Sequence, residues 1–238
     1  MEQTSAGKIA IVTGGTRGIG KAIAARLLQE GLAVAVCSRS ADHVRTFHDE
    51  CPGELRGRLL AEPADVSKQE EVERFFSKVD AGFGGVDILV NNAGAGVFKS
   101  VADLTPAEWR RIIELNLNGV YYCSHAALPR MRNRGGGYII NISSLAGKNP
   151  FAGGAAYNAS KFGVNGFSEA MMLDHRQENI RVSYIMPGSV DTDFGSKAGT
   201  APWKIQPEDI AELVMMLLRM PERTLVSRLE VRPAKPQK

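Results

Sequence analysis

The chain has 238 residues, 44% of them hydrophobic and 23% charged, with a net charge of +3. That length and balance suit one large folded unit with a substantial core better than two domains. The charge is small and dispersed. Arg110 with Arg111, and Arg130 with Arg132 and Arg134, read as solvated helix faces, so no nucleic-acid partner is expected. The three cysteines, Cys37, Cys51 and Cys123, lack metal-ligand spacing and cannot all pair, which points to reduced thiols, no metal and a cytoplasmic location. No signal-peptide pattern opens the chain and no apolar run reaches the roughly 18 residues of a membrane span, so no membrane partner is expected.

Strand-like and helix-like segments alternate from end to end. Short runs rich in β-branched residues predict strands at 8–13, 32–38, 58–62, 86–91, 138–143, 181–186 and 225–231. They are nearly continuous apolar runs, as in a parallel sheet covered on both faces. Helices fill the gaps. Ser67 with Glu70, and Thr105 with Glu108, have capping-box spacing, and Pro106 suits a first helical position. Pro207-Glu208-Asp209 opens the last helix with acids at its positive end. Repeated strand–helix units predict an α/β fold: a single doubly wound, Rossmann-like domain over 1–238, with a parallel seven-stranded sheet and helices on both faces. Residues 1–6 and 233–238 read as loose tails.

The first strand runs into Thr13-Gly-Gly-Thr-Arg-Gly-Ile-Gly20, where a helix begins. Glycines there let backbone approach a pyrophosphate, and amides at the helix start face its charge. Gly14, Thr16, Arg17, Gly18, Ile19 and Gly20 are therefore candidate cofactor residues. At the end of the second strand an NAD site would place a carboxylate, whereas this chain has Ser38-Arg39. Arg39 and Arg17 suit the extra phosphate of NADP, because a guanidinium attracts what a carboxylate repels. NADP(H) is the expected cofactor and NAD(H) the alternative.

Further on, Tyr157 and Lys161 stand one helical turn apart, thirteen residues after Ser144. Positions i and i+4 share a helix face, so an ammonium beside the phenol should favour phenolate and lower a pKa that starts near 10. Such a tyrosine can exchange a proton with a carbonyl or alcohol oxygen.

With these motifs in this order, the chain resembles the short-chain dehydrogenase/reductase family, in its simple branch, from about residue 7 to 231. The matches are the glycine loop at 13–20, Asp65-Val66, Asn91-Asn92-Ala93-Gly94, Asn116, Ser144, Tyr157 with Lys161, and Pro187-Gly188 followed by Thr192. The resemblance implies that Asp65 and Val66 bracket adenine, and that Asn92, Ala93 and Gly94 form the wall behind the cofactor. It assigns the carboxamide of nicotinamide to the stretch from Pro187 through Gly188 and Val190 to Thr192. It makes Asn116, Ser144, Tyr157 and Lys161 the catalytic set. Tyr157 is the proton donor in reduction, Ser144 a hydrogen-bond partner of the same oxygen, and Lys161 a tuner of the tyrosine and a ribose ligand. Asn116 is the holder of a water that connects Lys161 to solvent. Family spacing selects Ser144 over Ser143, which should complete its strand.

The implied activity is hydride transfer between nicotinamide and a carbonyl or secondary alcohol, as in 3-oxoacyl reductase-like and carbonyl reductase-like members. An NAD-linked alcohol dehydrogenase and a non-catalytic dinucleotide-binding regulator are the competing readings. The chain departs from its relatives in two places. Only residues 193–206 are left for a substrate lid, with Phe194 and Trp203 either lining the pocket or tacking the loop down. The C-terminus lacks the acidic, glycine-rich tail of tetrameric relatives. A homodimer through the 105–134 and 154–177 helices is expected, with a homotetramer possible.

Overall fold

Strand β1, Ile9–Thr13, shows why a central parallel strand is largely apolar. Ile9 and Ile11 point into one core and Ala10 and Val12 into the other, and all five residues are buried. The computed structural model describes residues 7–194 and 201–236. After β1 come α1 (Gly18–Gln29), β2 (Ala33–Ser38), α2 (Ala41–Glu50), α3 (Gly53–Arg56), β3 (Leu59–Pro63), α4 (Gln69–Phe83) and β4 (Ile88–Asn91). The second half holds α5 (Pro106–Ile113), α6 (Gly119–Asn133), β5 (Gly137–Ile142), α7 (Ala155–His175), β6 (Ile180–Pro187), α8 (Pro207–Arg219) and β7 (Arg228–Val231).

The strands form one parallel sheet in the order β3-β2-β1-β4-β5-β6-β7. The order reverses between β1 and β4, and a crevice opens there beyond the carboxyl ends of the strands. One apolar core lies under α1, α2 and α8, with Ile23, Leu27, Phe47 and Val214 packed on Val34, Val36 and Ile140. The other lies under α4, α6 and α7, with Phe76, Met131 and Met171 on Ala35, Leu89 and Ile139. A chain of polar side chains crosses the second layer. Asn91 Nδ2 donates to Ser124 Oγ (3.1 Å) and to Asn141 Oδ1 (2.9 Å), and Asn141 Nδ2 donates to Ser168 Oγ (2.8 Å).

Four expectations from the sequence need correction. Ser67 and Glu70 form no capping box: α4 starts two residues after Ser67 with Lys68 at its N-cap, and the Ser67 hydroxyl donates to Asp65 Oδ1 instead (2.8 Å). The helix expected across 105–134 is interrupted. After the Thr105–Glu108 capping box and α5, residues Glu114–Asn118 form a π-helical turn in which the Gly119 amide bonds Glu114 O. Leu115 and Asn116 are buried within this wider turn. The tail is not loose from residue 233: Pro233 packs beside Gly188, where an added Cβ would stand 3.1 Å from its ring carbon. Strand β7 is also shorter than expected, starting at Arg228. Residues 1–6 and 237–238 lie outside the described residues.

Candidate active site

The crevice is a groove of about 640 Å³ at the carboxyl ends of β1, β2, β4, β5 and β6. Its floor is the loop from β1 to α1. Gly14 and Gly18 hold positive φ values of 63° and 52°, the left-handed region that favours glycine. A side chain at either would strain the backbone, and at Gly14 it would also press on Ala93 Cα at 3.0 Å. The loop is tied across the switch point by Thr13, whose Oγ1 accepts from the amides of Asn92 and Ala93, both at 3.0 Å. Asn92 returns its own Nδ2 to Thr13 O (2.9 Å) and Gly14 O (3.2 Å). Helix α1 has no side-chain cap and no acid in its first turn, so its N-terminal amides remain open to an anion.

Most of the expected residues converge here. Gly14, Thr16, Arg17, Gly18, Ile19, Ser38, Arg39, Val66, Asn92, Ala93, Gly94, Ser144, Tyr157, Lys161, Pro187, Gly188, Val190 and Thr192 all line the groove. Gly20, Asp65 and Asn116 do not. Gly20 lies behind the loop, where a Cβ would fall 2.3 Å from Gly14 O and 2.4 Å from Asn92 Nδ2. Its part is to let α1 close on the loop. Asp65 spends Oδ1 on the Ser67 amide and hydroxyl at 3.1 and 2.8 Å. Asn116 is buried behind Gly94. Its Oδ1 accepts from Ala95 N (2.9 Å) and its Nδ2 donates to Ala95 O (2.9 Å) and Ser160 Oγ (3.1 Å). The whole amide is thus committed to protein partners, which makes it a clamp on the 94–96 backbone.

At the substrate end, Ser144 leaves β5 and starts a 3₁₀ turn at Leu145–Gly147, its Oγ accepting from Ala146 N (3.1 Å). Ser143 continues the strand through its amide to Ile185 O (2.8 Å) and turns its hydroxyl to Asn165. Tyr157 and Lys161 stand on the first two turns of α7. The Lys161 ammonium is buried, donates to Ile142 O at 2.9 Å and lies 5.8 Å from the centre of the Tyr157 ring. Burial pulls Lys161 down to about 8. Burial also raises Tyr157 above the usual tyrosine value, while its hydrogen bond with Ser144 opposes the rise. The expected lowering of the phenol by the neighbouring ammonium is therefore not seen: desolvation of the phenolate wins.

The sequence profile of the short chain dehydrogenases matches residues 8–203. An uncharacterized oxidoreductase of Staphylococcus aureus (strain MRSA252) is 34% identical over 227 residues, 95% of this chain and 97% of its own. The chain belongs to the short-chain dehydrogenase family. Solved structures agree with that assignment. An alcohol dehydrogenase from the archaeon Thermococcus sibiricus, complexed with 5-hydroxy-NADP, superposes with a TM-score of 0.89 at 34% identity, covering 97% of this chain and 99% of that one. A metagenomic short-chain oxidoreductase in complex with NADP gives 0.84 at 37% identity, covering 98% and 100%.

This short-chain dehydrogenase also uses residues that sequence reasoning passed over. Asn165 holds both Ser143 and, through Nδ2, Gly147 O (3.0 Å), which fixes the turn beside Ser144. Asp191 accepts from Ala201 N (2.9 Å) and lies 3.7 Å from Lys204, and Ile205 bridges Val190, so residues 201–205 are tied to the loop that follows β6. Phe194 lines the groove and Trp203 does not. Residues 195–200 of that segment lie outside the described residues. Among the described residues no cluster of His, Cys, Asp or Glu could hold a metal, and no helix is long and apolar enough to cross a membrane. The three cysteines are free and buried.

Proposed function

We propose that this oxidoreductase is an NADP-dependent carbonyl reductase or alcohol dehydrogenase with Tyr157 as the proton-transfer residue. The observation that carries the reading is the placement of Ser144, Tyr157 and Lys161 along one wall of a groove whose other end is the open N-terminus of α1. The residues present fit a dinucleotide. The glycine loop leaves space that side chains would fill, uncapped amides face a pyrophosphate position, and Ala93 and Gly94 keep the middle of the wall flat. Arg17 and Arg39 line the groove at the ribose end, exposed and without an acidic partner among the described residues, and Ser38 puts no carboxylate there. That set favours a 2′-phosphate, hence NADP(H) over NAD(H). The NADP-bound structural neighbours support the same choice.

When bound, the nicotinamide supplies or accepts a hydride. The chain's own groups handle the proton. Raised by burial, Tyr157 stays protonated at neutral pH and is set to donate to a developing alkoxide, with Ser144 bonding the same oxygen. Lys161, lowered to about 8, remains largely charged at pH 7 and supplies the local positive field that a phenolate needs. Asn116 acts as a positioning residue, pinning Ala95 and Ser160 on either side of the site. Self-association through α5, α6 and α7 accompanies this reading, supported by the exposed Trp109, Tyr121, Phe162 and Leu173 on those helices.

The test is a panel of carbonyl compounds assayed with NADPH and NADH by loss of nicotinamide absorbance, repeated on Tyr157→Phe. Turnover with NADPH that disappears in the variant supports the reading. Turnover that survives substitution overturns it.

A further inference from the structure

Three phenylalanines from separate parts of the chain meet around Tyr157. Phe98 follows β4, Phe151 precedes α7 and Phe194 follows β6. The Phe98 ring lies 5.7 Å from the Tyr157 ring at 72°, and Phe194 lies 5.7 Å from it at 51°. Phe151 extends the cluster, 5.8 Å from Phe98. The arrangement is built into the backbone. A bridge between Lys99 and Gly154 holds the first two segments side by side, and Phe151 O accepts from Asn158 Nδ2 at 3.0 Å. Gly96 makes room under the rings: a Cβ there would stand 2.6 Å from Phe98 and 3.3 Å from Phe194.

Yet these rings are not core. Phe98, Phe151 and Phe194 remain 45%, 46% and 43% exposed. Apolar surface left open around a reacting hydroxyl gains by being covered, and aromatic faces and edges favour another planar ring. The charges nearby fit an uncharged occupant. Lys99 is paired with Glu108 at 2.6 Å, and Lys148 is paired with Glu230. Asp193, next to Phe194, faces the groove and repels anions.

Resting on the carbonyl-reductase reading, we infer that Phe98, Phe151 and Phe194 form an aromatic substrate subsite that selects uncharged aryl ketones, and the corresponding aryl carbinols, over small alkyl ketones and anionic keto acids. The aryl group lies among the rings and leaves its carbonyl oxygen at the Tyr157 hydroxyl. A keto acid of the same shape meets Asp193, while the lysines around the rings, Lys99, Lys148 and Lys204, are paired with Glu108, Glu230 and Asp191.

The experiment compares acetophenone, butan-2-one and benzoylformate as substrates with NADPH, for the unmodified protein, Phe98→Ala and Phe151→Ala. The expected kcat/KM for acetophenone exceeds each of the others by about tenfold or more, and the acetophenone-to-butan-2-one ratio falls about tenfold in both variants, mainly through KM. A ratio near one in the unmodified protein, or a ratio that survives both substitutions, overturns the subsite. Saturation-transfer NMR of acetophenone on the NADP⁺-saturated protein separates this inference from the reading beneath it. If no ketone is reduced but acetophenone shows transfer that weakens in Phe98→Ala, the subsite stands and carbonyl reduction falls. Absence of transfer overturns the subsite whatever the turnover.

Discussion

Lys161 offers a stability test that does not depend on any substrate. The residue is 6% exposed, and its ammonium takes one carbonyl partner at 2.9 Å and has no carboxylate beside it. Burial lowers it from 10.5 to about 8. At 1.36 kcal/mol per pH unit, that gap corresponds to about 3 kcal/mol by which the folded protein disfavours the charged form. The sign follows from proton counting. Between pH 8 and 10.5 the unfolded lysine binds more protons than the folded one, so its contribution to stability rises with pH through that window. Below pH 8 both forms are protonated and the full cost is present. Lys161→Met keeps the length and apolar stem and removes the charge. The loss of the bond to Ile142 O costs about 1–3 kcal/mol, so the net change at pH 7 is small. The pH dependence is the sharper signal. The stability of the unmodified protein relative to Lys161→Met should rise by about 2–3 kcal/mol from pH 7 to pH 10. Urea unfolding at several pH values, without dinucleotide, measures it. A difference that stays flat across that range would show that Lys161 is hydrated or paired, and would remove the physical basis for its field at Tyr157.

Tyr157→Phe should lower kcat by about 10²–10⁴ while changing NADPH affinity less than threefold, read by steady-state rates and fluorescence titration. NADPH should bind at least ~10-fold more tightly than NADH, and Ser38→Asp with Arg39→Leu should narrow that gap in the same titration; equal affinities in the unmodified protein would mean that Arg17 and Arg39 do not meet a phosphate. Gly20→Ala should abolish dinucleotide binding, because its Cβ would meet backbone at 2.3 Å, and a variant that binds normally would refute the packing role given to this glycine. Gly166→Arg should fold, since nothing lies within 4 Å of an added Cβ, and should convert an oligomer to a monomer in light scattering. A protein that is already monomeric at micromolar concentration refutes the assembly.

The parts of the fold that could be read from the residues are those set by short-range rules. Strands buried on both faces are largely apolar, as Ile9 to Val12 of β1 and Ile185 to Pro187 of β6 show, with few alternatives for such runs between helices. The glycine loop was legible because positive φ at Gly14 and Gly18 leaves little choice of residue. Boundaries that depend on side-chain competition were not. The spacing of Ser67 and Glu70 satisfies a capping box, but Asp65 offers the Ser67 hydroxyl a closer carboxylate, and Glu71 rather than Glu70 turns back to accept from Asp65 N at 2.8 Å.

The same limit explains what was missed at the site. Asn116 could be picked out by type and position, but its π turn could not. Local propensity carries no signal for a five-residue helical bond. Within that turn Asn116 reaches Ala95, twenty-one residues earlier, and Ser160, forty-four later, contacts that local sequence does not announce. The aromatic cluster is hidden for the same reason. Phe98, Phe151 and Phe194 sit in loops with no periodicity, and their meeting at Tyr157, Phe151 by way of Phe98, becomes visible only after β4, β5 and β6 are laid side by side. Residues that recognise a cofactor common to many relatives are concentrated in short motifs, so sequence exposes them. Groups that select a substrate are dispersed over the loops beyond the strand ends, where only the assembled sheet brings them together. The pairing of Tyr157 with Lys161 was therefore legible from the chain, whereas Phe98, Phe151 and Phe194 become neighbours only on folding.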